Sequence, residues 1–578
     1  MIEIKQRCIP ENIPDLAYLP LILQRIYASR GITSAAQLDK SLQVLLSFEQ
    51  LTGISIACER LAVALQQQQR ILIIGDFDAD GATATALAVS ALRAMGGQCI
   101  DYLVPNRFEF GYGLTPGIVQ VAALRKSPQV IITVDNGVTS FDGVDAANLL
   151  NIDVIITDHH LAGEQLPNAC AIVNPNQHDD AFLSKSIAGV GVIFYVMVAL
   201  RRHLEQNQWF VQQNLPQPNM GHFLDLVALG TVADVVPLDQ NNRILVNQGL
   251  MRINQGLTSP GILALIKVAG KNYENLREND LGFAIAPRLN AAGRLDDMSL
   301  GIECLLTHDI DTAHQLASQL DKLNKERRLI ENDMKEQAYV FINQFIGSID
   351  KQKLPVALCL MDQSWHQGVI GILAGRLKER YHRPTIIFAY VNDEELKGSA
   401  RSVTTLNIRD ILAAIDRLHP GLINKFGGHA MAAGLSIHPN DFARFQWILI
   451  DEVQKHLSIA QCVGNVFTDG PLMLADLNLE TAKLLQNSGP WGQKFPEPCF
   501  DNVFNVVNQR LVGLNHLKLI LSLPKSQLLI EGIAFNIDKD YWPNYRVKQV
   551  HIAYRLDINI YNGNTRLQLL IEAIYALN

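Results

Sequence analysis

Between roughly residues 70 and 240, short runs of apolar residues alternate with longer segments of helical periodicity. The runs ILIIG (71–75), VIITV (130–134) and DVIIT (153–157) are β-branched and continuous rather than alternating. That pattern predicts parallel strands buried on both faces. Helix-like segments such as ATATALAVSALRAM (82–95) lie between them, so this half predicts a doubly wound α/β domain. Ligands of such sheets bind beyond the carboxyl ends of the strands. Residues 311–345 contain no Gly or Pro and repeat apolar positions at helical spacing, predicting one long helix that joins two halves. A second α/β pattern follows at about 353–455, with strands PVALCLM (355–361) and PTIIFAY (384–390). After about 460, HLKLILSL (516–523), LLIEGIAF (528–535) and VHIAYRLDINIYNGNTRLQLLIEAI (550–574) alternate, with a hairpin-type Asn-Gly at 562–563. A small antiparallel β-barrel is expected there. Residues 1–50 read as short helices with turn punctuation and suggest no function.

Composition narrows the class. A chain of 578 residues with 48% hydrophobic and 18% charged residues suits a soluble enzyme of several domains. The net charge of −8 supplies no general basic coat, but phosphate contacts can be concentrated in one groove. The eight cysteines are scattered without a CxxC pair, which disfavours a zinc ribbon and fits a reducing compartment. The start MIEIKQRCIP lacks an apolar signal core, and the longest apolar run, IAGVGVIFYVMVAL (187–200), is too short to span a bilayer. A soluble, cytoplasmic protein without a membrane partner is expected.

The chemistry begins at GDFDADG (75–81), where Asp76, Asp78, Asp80 and Gly81 match the opening of a calcium-binding EF-hand loop. Such a loop needs a bidentate glutamate at its twelfth position and a helix before it. The twelfth residue is Leu87 and a strand comes first, so the calcium reading fails. Other acids fall at comparable places: Asp135 after VIITV, Asp158, His159 and His160 after DVIIT, and Asp225 and Asp234 around the apolar stretch of 225–238. Each alone is ordinary, since a lone Asp after a strand is usually a cap. Together they converge on one sheet edge if the strands are neighbours. Clustered carboxylates resist ionising unless a cation neutralises them. Mixed carboxylate and imidazole donors suit a pair of divalent ions, Mn²⁺ best with Mg²⁺ as competitor. Such a pair supports phosphoryl displacement.

These motifs resemble the DHH phosphoesterase superfamily, named for the triplet seen here as Asp158-His159-His160, and more closely the bacterial RecJ family. The resemblance runs through VPNRFEFGYGL (104–114), TVDNG (133–137), ALGTVADVVPL (228–238), APRLNAAGRLDD (286–297), WHQGVIGILAGRL (365–377), KGSARS (397–402) and FGGHAMAAG (426–434). It implies Asp78, Asp80, Asp135, His159 and Asp234 as metal ligands, Asp135 bridging both ions, and Asp76 as an outer or additional ligand. It implies that His160 faces the scissile phosphate and that Asp158 orients the histidine pair. Substrate contacts are implied at Arg107, Arg288, Asn290, Arg294, Ser399, Arg401 and His429, with Arg107, Ser399 and Arg401 holding a 5′ phosphate.

By the same resemblance, residues 1–50 form an N-terminal segment, 51–310 a DHH domain, 311–350 a connecting helix, 351–457 a DHHA1-type substrate domain and 458–578 an OB-like barrel. The implied activity is two-metal, 5′ to 3′ hydrolysis of single-stranded DNA to 5′-mononucleotides, in repair and recombination. The implied protein is a monomer beside single-strand-binding protein and a helicase. Lys518, Arg546, Lys548 and Arg566 are surface candidates for extending the strand's track. Two rivals are a DHH phosphoesterase of short oligonucleotides or cyclic dinucleotides, and a non-catalytic DHH scaffold. A preference for dinucleotides over long strands marks the first, and lost ligands would mark the second.

Overall fold

Five parallel strands organise the first half: β1 (Ile71–Gly75), β2 (Ile100–Leu103), β3 (Val130–Val134), β4 (Asp153–Thr157) and β5 (Ala171–Val173). The computed structural model describes residues 2–10, 14–105, 113–347, 354–513, 515–537, 542–561 and 564–577. The strand order is β2-β1-β3-β4-β5. The chain therefore moves outward from β1 to β2 and returns to the other side at β3. That reversal opens a crevice between the carboxyl ends of β1 and β3, where such sheets bind ligands. Every residue of β1 and β3 is buried, which is why both read as unbroken apolar runs. The edge strands β2 and β5, of four and three residues, are too short to stand out.

Four helices matter for the crevice: α1 (Ala79–Ala94), α2 (Gly189–Gln206), α3 (Leu224–Ala233) and α4 (Ala286–Leu295). The first three are mostly buried. The apolar stretch of 225–238 is not a strand; α3 occupies it and delivers Asp234 from a helix end. Asp225 lies at the other end of α3, where its Oδ2 accepts from the Thr258 hydroxyl (2.6 Å), so it takes no part in the crevice.

The long helix α5 spans Ile310–Gly347, slightly beyond the predicted 311–345. Ion pairs tie it to both halves, the one to Arg288 buried and the one to Arg376 at the surface. Arg288 of α4 bonds Asp321 at 2.7 Å, and Glu331 accepts from Arg327 (2.8 Å) and from Arg376 (3.0 Å). Arg376 lies on α6 (Ile370–Tyr381). The second half is a mixed sheet of β6 (Leu358–Asp362), β7 (Thr385–Asn392), β8 (Glu395–Arg401), β9 (Lys425–His429) and β10 (Ala432–Ile437), ordered β9-β10-β8-β7-β6. KGSAR (397–401) lies on β8, with Ser402 just past its end, and the glycine-rich FGGHAMAAG forms the antiparallel pair β9–β10 rather than a mere turn.

The last part is a closed barrel of β11 (Phe500–Val512), β12 (His516–Ser522), β13 (Ile530–Ala534), β14 (Gln549–Tyr561) and β15 (Asn564–Leu577), ordered β11-β12-β13-β15-β14. The predicted Asn562-Gly563 turn lies outside the described residues. The N-terminal segment attaches this barrel. Residues Ile2–Gln6 form a strand, which the sequence reading missed, paired in parallel with Gly464–Thr468. Tyr27 stacks on Trp491 and Phe495, Arg243 covers the Phe495 ring at 4.3 Å, and Arg30 pairs with the buried Asp469 at 2.8 Å. Among the described residues, no helix is long and apolar enough to cross a membrane.

Candidate active site

The loop after β1 turns so tightly that a Cβ on Gly81 would lie 2.5 Å from the Asp76 carbonyl oxygen. Only glycine fits there. Asp78 caps α1, its Oδ1 accepting from the Asp80 and Gly81 amides at 2.9 and 3.1 Å. Asp80 points into the crevice floor and is fully buried. Its two oxygens accept from the Gly189 and Val190 amides (2.7 and 2.9 Å) at the N-terminus of α2. Each carboxylate oxygen keeps a second lone pair for a cation.

Asp135 follows β3 in the left-handed region (φ 63°), an uncommon conformation for a non-glycine residue that aspartate tolerates better than most. Its close neighbour is Gly189, where a Cβ would lie 2.6 Å from the Asp135 Cβ. His159 turns Nε2 toward Asp135 Oδ1 (2.9 Å), Asp234 Oδ2 (3.5 Å) and Asp80 Oδ2 (4.0 Å). The ring is also hydrogen-bonded to the Ile187 backbone, and burial pulls its pKa down to about 4. It is therefore a neutral ring fixed to present one nitrogen to three carboxylates.

The carboxylates themselves resist ionisation. Burial, then the neighbouring Asp78, pushes Asp80 up to about 7. Burial, then Asp80, Asp78 and Asp76, holds Asp135 well above the usual carboxylate range. Asp234 is raised likewise by burial and then Asp80. Three overlapping donor groups each bring one atom per residue within 4.8 Å: Asp76, Asp78 and Asp135; Asp80, His159 and Asp234; Asp135, His159 and His160. A donor set of crowded, buried carboxylates around one neutral imidazole fits a pair of divalent cations. Asp135 and His159 each belong to two of the groups, and their 2.9 Å contact joins the three into one cluster. Asp76, expected as an outer or additional ligand, is in one.

Asp158 is differently placed. Its Oδ1 accepts from the His159 and His160 amides (2.7 and 3.1 Å) and bonds the His160 ring at Nδ1 (2.7 Å); Oδ2 accepts from Val138 (2.9 Å). Burial favours its neutral form, but the His160 hydrogen bond and charge hold its pKa below the ordinary value. Burial lowers His160 while Asp158 and the crevice acids raise it more, to about 9. His160 is thus a half-exposed imidazolium at the mouth.

The substrate-side expectations divide. Arg288 is buried and committed to Asp321 of α5 and to backbone carbonyls, so it is a structural ion pair rather than a phosphate fork. Asn290 accepts from the Ala79 amide at 2.8 Å, buttressing the first turn of α1. Arg294 is half-buried where α4 meets the second half: a Cβ on Gly368 would lie 2.4 Å from its carbonyl oxygen. Ser399 and Arg401 share one face of β8, bonded to each other at 3.2 Å, and crowd the first turn of α6 at Gly371. A serine, an arginine and a helix N-terminus together make an anion-binding corner. His429 is lowered by burial and then by the positive charges of Arg401 and His160, so both halves face one cleft. Arg107 lies outside the described residues.

Several supporting residues went unread in the sequence. Asn136 Nδ2 donates to the Ile74 and Val134 carbonyls (3.1 and 2.9 Å), stapling β1 to β3 at the crevice. Asn174 and Asn176 donate to the His160 and His159 carbonyls (2.9 and 2.6 Å). Gly293 lets α4 touch the aspartate loop, since a Cβ there would lie 1.8 Å from the Phe77 carbonyl oxygen. The NG of 136–137, the NPN of 174–176 and the glycine of NAAGR are the signals the sequence offers for them.

Residues 70–231 match the DHH family, N-terminal domain, and residues 352–455 match the DHHA1 domain. With the carboxylate cluster at the switch point, they define a member of the DHH class. Residues 468–573 match the RecJ OB domain. The chain is 52% identical over 566 residues to the single-stranded-DNA-specific exonuclease RecJ of Dickeya dadantii, covering 98% of this chain and 97% of that protein. It belongs to the RecJ family. Its fold matches the crystal structure of RecJ in complex with Mn²⁺ from Thermus thermophilus (TM-score 0.82, 26% identity, 100% of this chain and 80% of that one). The Mg²⁺ complex from the same organism matches with TM-score 0.75 at 25% identity, covering 100% and 79%.

Proposed function

We propose that this protein is a single-stranded-DNA-specific exonuclease that removes 5′-mononucleotides in the 5′ to 3′ direction, in DNA repair and recombination. One observation carries the reading most directly. A buried cluster of carboxylates shares Asp135 between two donor groups and faces the Ser399–Arg401 corner across one cleft.

Asp76, Asp78 and Asp135 would hold one divalent ion, and Asp80, His159, Asp234 and Asp135 a second, Mn²⁺ or Mg²⁺. Such ions supply a nucleophile at neutral pH and stabilise the charge of an in-line displacement. The chain's own residues do the rest. Ser399 and Arg401, with the first turn of α6, bind the 5′-terminal phosphate and set how far the strand enters. His160, kept protonated by Asp158, donates to the scissile phosphate as charge develops on it. Arg294 and His429 border the strand between these points. The single-strand track continues onto the barrel. The protein works in the cytoplasm as a monomer, alongside single-strand-binding protein and a helicase.

Digestion of single strands labelled at the 5′ or the 3′ end, with and without added Mn²⁺, tests this reading. The 5′ label should appear first as a mononucleotide, and only with metal. Release of the 3′ label first, activity after chelation, or a preference for dinucleotides would overturn it.

A further inference from the structure

A short turn of π-helix, Leu281–Ile285, runs into α4 without a break. Such turns frequently mark functional places. Phe283, Pro287, Asn290 and Arg294 recur at spacings of four, three and four, so they form one stripe along this rod. All four are at least partly open to solvent, while Arg288, Leu289, Ala291 and Ala292 are buried.

The stripe has fixed landmarks. Its Arg294 end abuts Gly368 beside α6, and Asn290 touches the aspartate loop at Ala79. About 10 Å further along, at the helical rise of about 1.5 Å per residue, comes Phe283. Its neighbour Gly282 packs on Val232, where a Cβ would lie 3.2 Å from a side-chain methyl, two residues before Asp234. Just upstream the chain is tied to the barrel's approach. The Trp491 amide donates to Glu278 (2.9 Å) and Asn279 donates to Glu497 (3.3 Å), and Glu497 pairs with Arg555 of β14. The stripe thus runs from the anion-binding corner, past the carboxylates, toward the barrel.

Phe283 is 77% exposed on this line. A lone exposed phenylalanine is ordinary on a surface; one lying on the route of a single strand is a stacking surface. We propose that Phe283 stacks against a base of the strand on the 3′ side of the scissile bond, between the carboxylate cluster and the barrel. The proposal rests on the 5′ to 3′ reading above, which puts the 5′ terminus at Ser399 and Arg401. A phenyl face accepts every base, which suits an enzyme that must advance through any sequence.

The test uses the full-length protein and 5′-phosphorylated single strands of mixed sequence. Phe283→Ala should raise KM about tenfold with kcat little changed, the usual effect of losing one stacked base. Phe283→Tyr should restore the wild-type KM, and Phe283→Leu should not. An abasic site moved stepwise from the 5′ end should weaken binding by the wild type at one position a few nucleotides in. The Phe283→Ala enzyme should not distinguish that position. An unchanged KM in Phe283→Ala, or rescue by Leu equal to rescue by Tyr, would overturn the proposal. If Phe283→Ala melts early, the comparison of Leu with Tyr decides alone. Failure of the functional reading is seen separately, as absence of 5′-mononucleotides from the wild type.

Discussion

At the scale of single residues, the crevice trades folding stability for cation affinity. In the metal-free protein Asp80 titrates at about 7, with Asp135 and Asp234 also raised, because burial and mutual repulsion disfavour their charged forms. A carboxyl whose folded pKa lies above its unfolded value of about 3.9 binds a proton on folding throughout that interval. Stability then falls as pH rises through it. His160, raised to about 9 by Asp158 after burial has lowered it, contributes stability below its unfolded value and loses it as pH rises, in the same direction. His159, lowered to about 4 by burial, opposes them only below its unfolded value of about 6.5. Between about pH 6.5 and 8 the chelated protein should therefore melt at progressively lower temperature. The slope should be shallower in Asp135→Asn. Saturating Mn²⁺ should raise the wild-type Tm, an effect of about 2.7 kcal/mol at a hundred times Kd. The Asp135→Asn protein should gain much less and show no nuclease activity. A pH-independent Tm of the chelated wild type would contradict this account.

At the scale of elements, the contact between α4 and the aspartate loop sets the position of the ligands. Gly293 has no room for a methyl group: the obstacle is the Phe77 backbone, which cannot swing away as a side chain can. Gly293→Ala should displace the loop that carries Asp76, Asp78 and Asp80. A misplacement of about 1 Å lowers turnover on the order of a hundredfold. Gly375→Ala, on α6 with nothing within 4 Å of its Cβ position, is the control; it should leave activity alone and stabilise by up to about 1 kcal/mol. Steady-state kinetics and melting curves of the two variants check both statements. This contact also marks what was legible in the sequence. The buried strands β1, β3 and β4 announce themselves as apolar runs, and their terminal acids suggest a metal pair without any partner in view. Asp234 was legible as an acid but not as a helix end, because α3 is buried all round and its run looks like a strand. Arg288 looked like a phosphate ligand because its partner, Asp321, is 33 residues away on another helix. Asn290 is legible as a polar residue of the motif, but its bond to the Ala79 amide and the close approach of Gly293 to Phe77 are tertiary contacts that no local pattern reveals.

At the scale of the whole molecule, a chain of net charge −8 is read as binding a polyanion, and its charge is unevenly used. Asp76, Asp78, Asp80, Asp135 and Asp234 are gathered at one crevice, where two divalent cations would offset much of their charge. The opposite wall presents Arg401, with Arg294 and His429 along the same cleft. Attraction for DNA is then local, and its salt dependence counts the phosphates neutralised there. For single strands, log K falls against log salt by about 0.7 per phosphate contact. Measured in an Asp135→Asn background to prevent cleavage, Arg401→Ala should reduce that slope by about 0.7. Ser399→Ala removes a hydrogen bond but no charge. It should leave the slope unchanged while weakening the preference for a 5′-phosphorylated end over a 5′-hydroxyl. Fluorescence anisotropy across a salt series, with both kinds of end, separates the two effects. Equal slopes for Arg401→Ala and Ser399→Ala would mean that the strand's charge is neutralised elsewhere, on the barrel rather than at the anion-binding corner beside α6.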